Sequence, residues 1–328
     1  MERKQLATIS YSSSKELPEW WGKATSAKEF LRLKEVGMNC GLEYTSFPLF
    51  KGILPYSRYT HSVGVGEIVW RFTHDPKQAL AGLYHDIASP CFAHVIDFLH
   101  GDYQSQESTE EGTSKIIAKS KDIQDLLTFL NLSTEDVDDY HDYPVADNDS
   151  PRLSADRLEY TLSNAINLLR ADRTEIQNLY DAISVLPCGE LGFLDEGKAK
   201  RFASIALSLG GIYCCDEDRY SMEVLARLIK KAIPLGILNE EDLYQGEPSA
   251  ISKLLCSPLK GEWDAFSEMS ALEKSRNNRE GFLKIQAKKR YIDPLVGDKR
   301  LSEIDEEFKA DVEAYLNQSF DIYLKRKD

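Results

Sequence analysis

Two histidines and two aspartates in this chain are of the residue types that bind a divalent metal ion. His61 precedes the dipeptide His85-Asp86, and Asp156 follows further along the chain. Two neutral imidazoles and two carboxylates suit a borderline or hard ion, so the candidate cofactors are Fe, Mn, Ni, Zn or Mg. Such a set leaves coordination positions open for water and substrate, as catalysis requires. If the four side chains meet, they predict a catalytic metal centre.

The dipeptide His-Asp occurs at three places, and one of them fits a buried site. His74-Asp75 precedes a proline at a predicted helix boundary, and His141-Asp142 lies in an acidic loop. Both pairs are predicted to be solvated surface residues. His85-Asp86 follows an apolar helix, where a charged pair is costly to bury unless other groups satisfy it. Taken alone, His61 also fits a hydrogen-bonded core histidine, and Asp156 fits a carboxylate that offsets a helix dipole.

Helices are predicted to position these residues, because most of the apolar residues recur at helical spacing. The predicted helices span residues 27–36, 61–72, 76–85, 90–99, 112–119, 122–130, 134–140, 154–170, 173–185, 198–209, 221–232 and 301–324. Residues 143–151 contain two prolines and are predicted to form a loop that leads into Asp156. Residues 282–291 partly alternate, which predicts an edge strand that could pair with residues 41–47.

Composition restricts the function classes. The 328 residues include no apolar run long enough to cross a bilayer, and the charged N-terminus lacks the apolar stretch of a secretory signal. The six cysteines show no CxxC spacing and are predicted to be reduced thiols of a cytoplasmic protein. A net charge of -14 disfavours long nucleic acids, although short basic clusters such as 288–290 leave small anionic ligands open.

The segments around the candidate ligands resemble the HD-domain metal-dependent phosphohydrolases, and most closely their deoxynucleoside triphosphate triphosphohydrolase-like branch. The matching motifs occur in the family's order: RYTHSVGV at 58–65, LYHDIA at 83–88, PCFAHVID at 90–97 and DRLEY at 156–160. Weaker matches are FLRLK at 30–34 and KKRYIDP at 288–294. The resemblance covers residues 25–170 in the main, and the conjunction of motifs is more specific than the His-Asp pair alone.

The resemblance implies a mostly all-α fold, an HD-domain helical bundle with a small β element near the C-terminal part. Residues 1–170 would form the phosphohydrolase core. Residues 171–328 would form a helical extension packed on it, with a short strand near 282–291. Members of the family often form dimers or larger assemblies, so a homo-oligomer is expected, with no defined number of subunits. No membrane partner is expected, and a nucleic acid is disfavoured.

The resemblance also implies roles for individual residues. His61, His85, Asp86 and Asp156 would hold the metal, which lowers the pKa of a water and polarises a phosphoryl oxygen. Arg58 would bind phosphate, since its planar fork suits that anion, although it also fits an ordinary surface arginine. Tyr160 would face the substrate or pack in the core. His94 and Asp97 would lie beside the attacked phosphate or bond to each other.

Two departures from the family pattern leave the chemistry open. Ser89 stands where the family carries a histidine after the His-Asp turn, and Thr109 aligns with the histidine of an H-E-x-G segment. Gln106-Glu107 is a second alignment for that segment, and it too lacks the histidine. Neither Ser89 nor Thr109 titrates near neutral pH. The predicted function is a metal-dependent phosphohydrolase acting on a nucleotide or related phosphoester, with Asp97, His94 or Glu110 assisting. The alternative is a non-catalytic metal- and nucleotide-binding protein with a regulatory role.

Overall fold

The computed structural model describes residues 9–13, 15–96 and 112–327. The first part of the chain is helical, with short connections. Its α-helices are α1 (Trp21–Thr25), α2 (Lys28–Leu31), α3 (Arg58–Thr73), α4 (Pro76–Tyr84), α5 (Thr113–Lys119), α6 (Lys121–Leu130), α7 (Ala155–Asn167) and α8 (Arg173–Tyr180). Single turns of 3₁₀ helix lie at Arg32–Glu35, Leu42–Tyr44, Thr134–Asp136 and Tyr140–Asp142.

The second part alternates helices with short strands. Its helices are α9 (Glu196–Tyr213), α10 (Asp216–Ala232), α11 (Glu240–Leu243), α12 (Glu247–Leu255), α13 (Lys260–Ser267), α14 (Leu301–Ile304) and α15 (Glu306–Leu316). Its strands are β1 (Ile183–Val185), β2 (Leu191–Phe193), β3 (Leu272–Ser275), β4 (Leu283–Lys284), β5 (Leu295–Val296), β6 (Lys299–Arg300) and β7 (Tyr323–Arg326). The prediction of a mostly helical fold with a small β element is confirmed.

The strands form two small sheets. One has the order β1-β2-β5-β6, in which β2 and β5 run parallel and the other neighbours are antiparallel. The other has the antiparallel order β3-β7-β4. A bidentate ion pair between Arg300 and Glu190 ties β6 to the chain just before β2. The first sheet therefore joins residues 183–193 to residues 295–300, and the second sheet joins C-terminal strands to one another.

Helices α3 and α4 pack at close range because glycines line their contact. A Cβ atom on Gly66 would lie 3.1 Å from the Cβ of Leu83, and one on Gly82 would lie 3.1 Å from a methyl group of Val69. Such approaches leave no room for side chains, so the backbones come near each other. The close packing brings the first turn of α3 next to the C-terminal end of α4.

Two buried apolar clusters form the core. One joins α3, α4, α7 and α9 and extends to Ile292, Leu301 and Phe308. The other joins Cys40, Leu42 and Phe92 to α10, α12 and α13. Each cluster contains residues from both sides of position 170, so the helical extension shares its core with the first part. The domain boundary at 170 itself stays a prediction.

Several local predictions differ from the structure. In the helix predicted over 90–99, residues 91–94 form turns, because Phe92 and Ala93 have left-handed φ values of 61° and 46°, and residues 95–96 are helical; residues 97–99 lie outside the described residues. The helices predicted to reach residues 185 and 324 end earlier, and their last residues belong to strands β1 and β7. Residues 41–47 form a 3₁₀ turn and do not pair with the strand predicted at 282–291. Of the strand predicted at 282–291, the structure forms β4, which pairs with β7.

None of the helices in the described part of the chain combines the length and the apolar character that a membrane span needs.

Candidate metal centre

The structure brings His61, His85 and Asp86 together. One ligand atom from each lies within 4.8 Å of the others, and all three residues are buried. Asp156 completes the group: its Oδ1 lies 3.0 Å from Nε2 of His61 and 3.7 Å from Nε2 of His85. Its side chain is 20% exposed, so the carboxylate forms the open side of the cluster. Four potential ligands from the ends of three helices therefore lie close together, with Asp156 next to both histidines.

Helix ends place the four side chains. Ser57 caps α3 and accepts a hydrogen bond from the backbone of Thr60, so His61 lies in the first turn of that helix. His85 follows the last residue of α4, and Asp86 continues into a turn. Asp156 lies in the first turn of α7 behind the cap residue Ser154. The predicted location of His85-Asp86 at a helix end is thus observed.

Hydrogen bonds orient the two imidazoles. Nδ1 of His85 lies 2.7 Å from the carbonyl oxygen of Gly82, to which it donates. Nδ1 of His61 lies 2.5 Å from Oε2 of Glu159. When Nδ1 carries the proton, the lone pair is on Nε2, and both Nε2 atoms face the carboxylates of the cluster. The donor set and its orientation therefore fit a divalent ion.

Glu159 is a candidate functional residue that the sequence analysis missed. Its side chain is completely buried and accepts hydrogen bonds from Tyr11 at 3.2 Å, from Ser163 at 2.7 Å and from Tyr56. In metal centres, a carboxylate behind a binding histidine commonly fixes the orientation of the ring, and Glu159 has this position behind His61. The available signal was its spacing of three residues from Asp156 on one helix, which places both on one face.

Asp86 is held by a second set of contacts. Nη1 of Arg58 lies 2.6 and 2.7 Å from the two carboxylate oxygens, and the hydroxyl of Ser89 donates to Oδ1 at 2.8 Å. Ser89 thus orients a candidate ligand. Nη2 of Arg32 donates to the carbonyl oxygens of Ile87 and Ser89 at 2.9 and 2.7 Å, which stabilises the turn after Asp86.

The electrostatics keep both carboxylates ionised at neutral pH. Burial opposes the charge of Asp86, but the guanidinium of Arg58 outweighs it and lowers the pKa below its usual range. Burial likewise opposes the charge of Asp156, but the hydrogen bond with His61 lowers its pKa to about 2. For His61, burial is outweighed by Asp156 and Glu159, which raise its pKa to about 10. A bound cation displaces that proton.

A cavity of about 880 Å³ opens over the four side chains. Its walls include Arg58, Tyr160 and His94, so three further predicted site residues face the same space. It also contains the basic segment 287–291, which lies far along the chain. Asp97 and Glu110 lie outside the described residues. Their predicted roles, and those of the other site residues, stay predictions.

Two tyrosines shape the cavity near the cluster. The ring of Tyr140 lies 4.9 Å from the ring of His85, and the ring of Tyr160 lies 6.1 Å from that of Tyr213. Burial raises the pKa of Tyr160 to about 12, so its hydroxyl stays protonated at neutral pH. Tyr160 therefore presents a neutral hydroxyl and an aromatic ring to the cavity.

Comparisons with known proteins give distant relatives. No protein-family model matches the chain. The chain is 26% identical over 204 residues to the uncharacterized protein YdhJ of Bacillus subtilis, a match that covers 61% of this chain and 62% of that protein. It is 27% identical over 231 residues to the metal-dependent phosphohydrolase cns2 of Cordyceps militaris, with 66% and 64% covered. The matches thus span less than two thirds of either relative.

The fold also occurs in a solved structure. A crystal structure of a hypothetical protein from Aquifex aeolicus matches over 90% of both chains, with a TM-score of 0.61 and 17% sequence identity. At that identity the likeness concerns the fold alone. The name of the Cordyceps militaris relative agrees with the resemblance to the HD-domain phosphohydrolases. Taken together, this chain is a distant relative of a protein named as a metal-dependent phosphohydrolase, and it carries a His-His-Asp cluster that suggests a divalent metal.

Proposed function

We propose that the protein is a metal-dependent phosphohydrolase that acts on a nucleotide or a related phosphoester. The observation that carries the proposal is the convergence of His61, His85, Asp86 and Asp156 at one end of a large cavity. A volume of about 880 Å³ lies within the range of small-molecule sites. The named relative supports the reaction class.

The four side chains would bind the ion, and neighbouring residues hold those side chains in position. When bound, a divalent ion supplies Lewis acidity toward a phosphoryl oxygen and lowers the pKa of a nearby water. Glu159 keeps the ring of His61 in the tautomer that presents Nε2. Arg58 and Ser89 hold the Asp86 carboxylate in place. The donor set suits Fe, Mn, Ni, Zn or Mg as the bound ion.

Positive charge on the cavity walls supports an anionic substrate. The chain carries a net charge of -14, yet Arg58 and the segment Lys288-Lys289-Arg290 line the cavity. Arg58 is engaged with Asp86, so the charge that it presents to a phosphate is partly neutralised. Phosphate binding by Arg58 and substrate contact by Tyr160 are parts of the proposal. So is assistance by His94, Asp97 and Glu110.

Metal analysis and a hydrolysis screen test the proposal. Protein purified without chelator should contain close to one equivalent of a divalent metal. It should also release phosphate or nucleoside from at least one compound among nucleoside mono-, di- and triphosphates and cyclic nucleotides. Asp86→Ala should lose both properties. Asp125→Ala is the control, because Asp125 is exposed and does not line the cavity. Wild-type protein as inert as Asp86→Ala on every substrate would refute hydrolysis.

A thermal-shift assay separates hydrolysis from binding alone. A ligand that binds the native state raises the melting temperature by mass action. If a nucleotide stabilises the wild-type protein and is recovered intact after long incubation with metal, the protein is a binding module. If the nucleotide is converted, the hydrolase proposal holds.

A further inference from the structure

A histidine outside the metal cluster lies on the wall of the same cavity. His141 belongs to the 3₁₀ turn Tyr140–Asp142 and is 49% exposed at its side chain. Its ring lies 4.4 Å from the ring of Tyr140, which in turn lies 4.9 Å from the ring of His85. One aromatic ring therefore separates His141 from a candidate metal ligand. The sequence analysis assigned this residue to the solvated surface, and its position in the cavity is new.

Two carboxylates face the two nitrogens of this ring. Nδ1 lies 2.9 Å from Oδ1 of Asp139, and Nε2 lies 3.4 Å from Oδ2 of Asp147. Asp139 also accepts from the backbone N–H of His141 at 3.0 Å, so the contact is fixed at two points. Asp147 is itself paired with Arg157, whose Nη1 lies 2.9 Å from Oδ1. Nearby negative charge favours the protonated form of an imidazole. The two carboxylates therefore favour the form of His141 that can donate a proton.

The geometry of the ring suits proton delivery into the cavity. Asp139 holds the Nδ1 side, which leaves the Nε2 side next to Asp147 at a distance longer than a strong hydrogen bond. Asp147 and its neighbours Asn148 and Asp149 line the same cavity as the candidate ligands. A substrate oxygen that enters this region can therefore replace Asp147 as the partner of Nε2.

We propose that His141 is the general acid of the reaction and that Asp139 is its positioning residue; this inference rests on the proposed phosphohydrolase function. A water oxygen forms a bond to phosphorus while the ester P–O bond breaks. The electron pair of that bond goes to the leaving oxygen, which takes the proton from Nε2 of His141. The proton lost by the attacking water passes to solvent, and the imidazole regains a proton from solvent.

The rival donor is His94, which also lines the cavity and matches a family motif. The two assignments give different results when each histidine is changed separately. For His141, the carboxylate at Nδ1 supplies the orientation that a donor needs. His74 lies outside this cavity, at the end of α3, and serves as the comparison.

The test compares leaving groups in His141→Gln and the wild-type protein. Two substrates are used: a nucleoside phosphoester that the wild type cleaves and its 4-nitrophenyl counterpart, whose phenolate leaves without a proton. General acids contribute about 10²–10⁴-fold, so kcat for the nucleoside ester should fall at least ~100-fold. The value for the nitrophenyl ester should change little. The alkaline limb of the pH profile of kcat should disappear, because that limb reports loss of the donor's proton.

Controls separate this assignment from a structural effect. Metal content and melting temperature are measured for each variant, and His74→Gln should behave as wild type. Asp139→Asn removes a charge that favours the imidazolium, so it should move the alkaline limb to lower pH. It keeps the assignment testable if His141→Gln does not fold.

Several outcomes overturn the inference. Equal losses on both esters in His141→Gln would indicate a structural role, and selective loss in His94→Gln alone would assign the acid to His94. An unmoved alkaline limb in Asp139→Asn would also contradict it. A wild-type protein inert on both esters would remove the proposed function and this assignment with it, whereas the other results concern the assignment alone.

Discussion

Replacing Glu159 by glutamine tests whether the carboxylate behind His61 builds the metal centre. The substitution keeps the shape of the side chain but removes its charge. In the structure, Glu159 is completely buried and is the partner of Nδ1 of His61 at 2.5 Å. A glutamine can rotate its amide group so that it presents N–H toward the imidazole. That rotation would favour the tautomer with the proton on Nε2, which cannot bind a metal.

The expected loss of metal affinity follows from the role of groups that orient a metal-binding histidine. Removing the group that orients a metal-binding histidine typically costs 10–100-fold in metal affinity or activity, or about 1.4–2.8 kcal/mol. We expect Glu159→Gln to reach that range, since no water can replace a partner at a fully buried position. Tyr11, Tyr56 and Ser163 keep a hydrogen-bonding group at the same place, so the fold should persist.

Isothermal titration of chelator-stripped protein with Mn²⁺ or Zn²⁺ measures the affinity. Glu67→Gln is the matched control: Glu67 lies on the helix of His61 and is electrostatically coupled to Glu159, but none of its contacts involves the four ligands. Loss of affinity in both variants would indicate a general effect of charge. A folded Glu159→Gln protein with wild-type affinity would refute the role given to this carboxylate.

Three further predictions concern the same centre. Asp86→Ala leaves a buried guanidinium unpaired, so urea unfolding of chelated protein should show a loss of roughly 3 kcal/mol. The raised pKa of His61, about 10, stabilises metal-free protein most below pH 6.5, and this contribution is lost as the pH rises to 10; the melting temperature should fall over that interval, and less so in His61→Gln. A Cβ on Gly64 would lie 2.7 Å from Cγ of Glu159. Gly64→Ala should therefore cost about 1–3 kcal/mol and weaken metal binding, whereas Gly22→Ala, with open space around it, should do neither.

The positions of the candidate ligands were predictable from the sequence because each depends on a local signal. An apolar helix that ends at His85, a helix that begins at residue 154 just before Asp156 and a helix that contains His61 can each be read from short segments. Local patterns do not show that the segments with His61, His85-Asp86 and Asp156 meet in space. The resemblance to a family led to that prediction. The structure brings the four side chains together, as that prediction requires.

The remaining parts of the site depend on contacts between distant segments. Glu159 is an ordinary helical glutamate until His61 is placed beside it from another helix. His141 is an exposed loop residue by its sequence, and its place in the cavity follows from the ring of Tyr140 stacking near His85. The helix predicted over 90–99 begins later than expected, because Phe92 and Ala93 have left-handed φ values that helix propensity does not record.

The segment 287–291, which completes the cavity wall, has a consequence for how the protein is made. During translation the four donor side chains emerge from the ribosome well before this segment does. Because both core clusters also contain residues from both sides of position 170, the cavity is complete only after the C-terminal segments have docked.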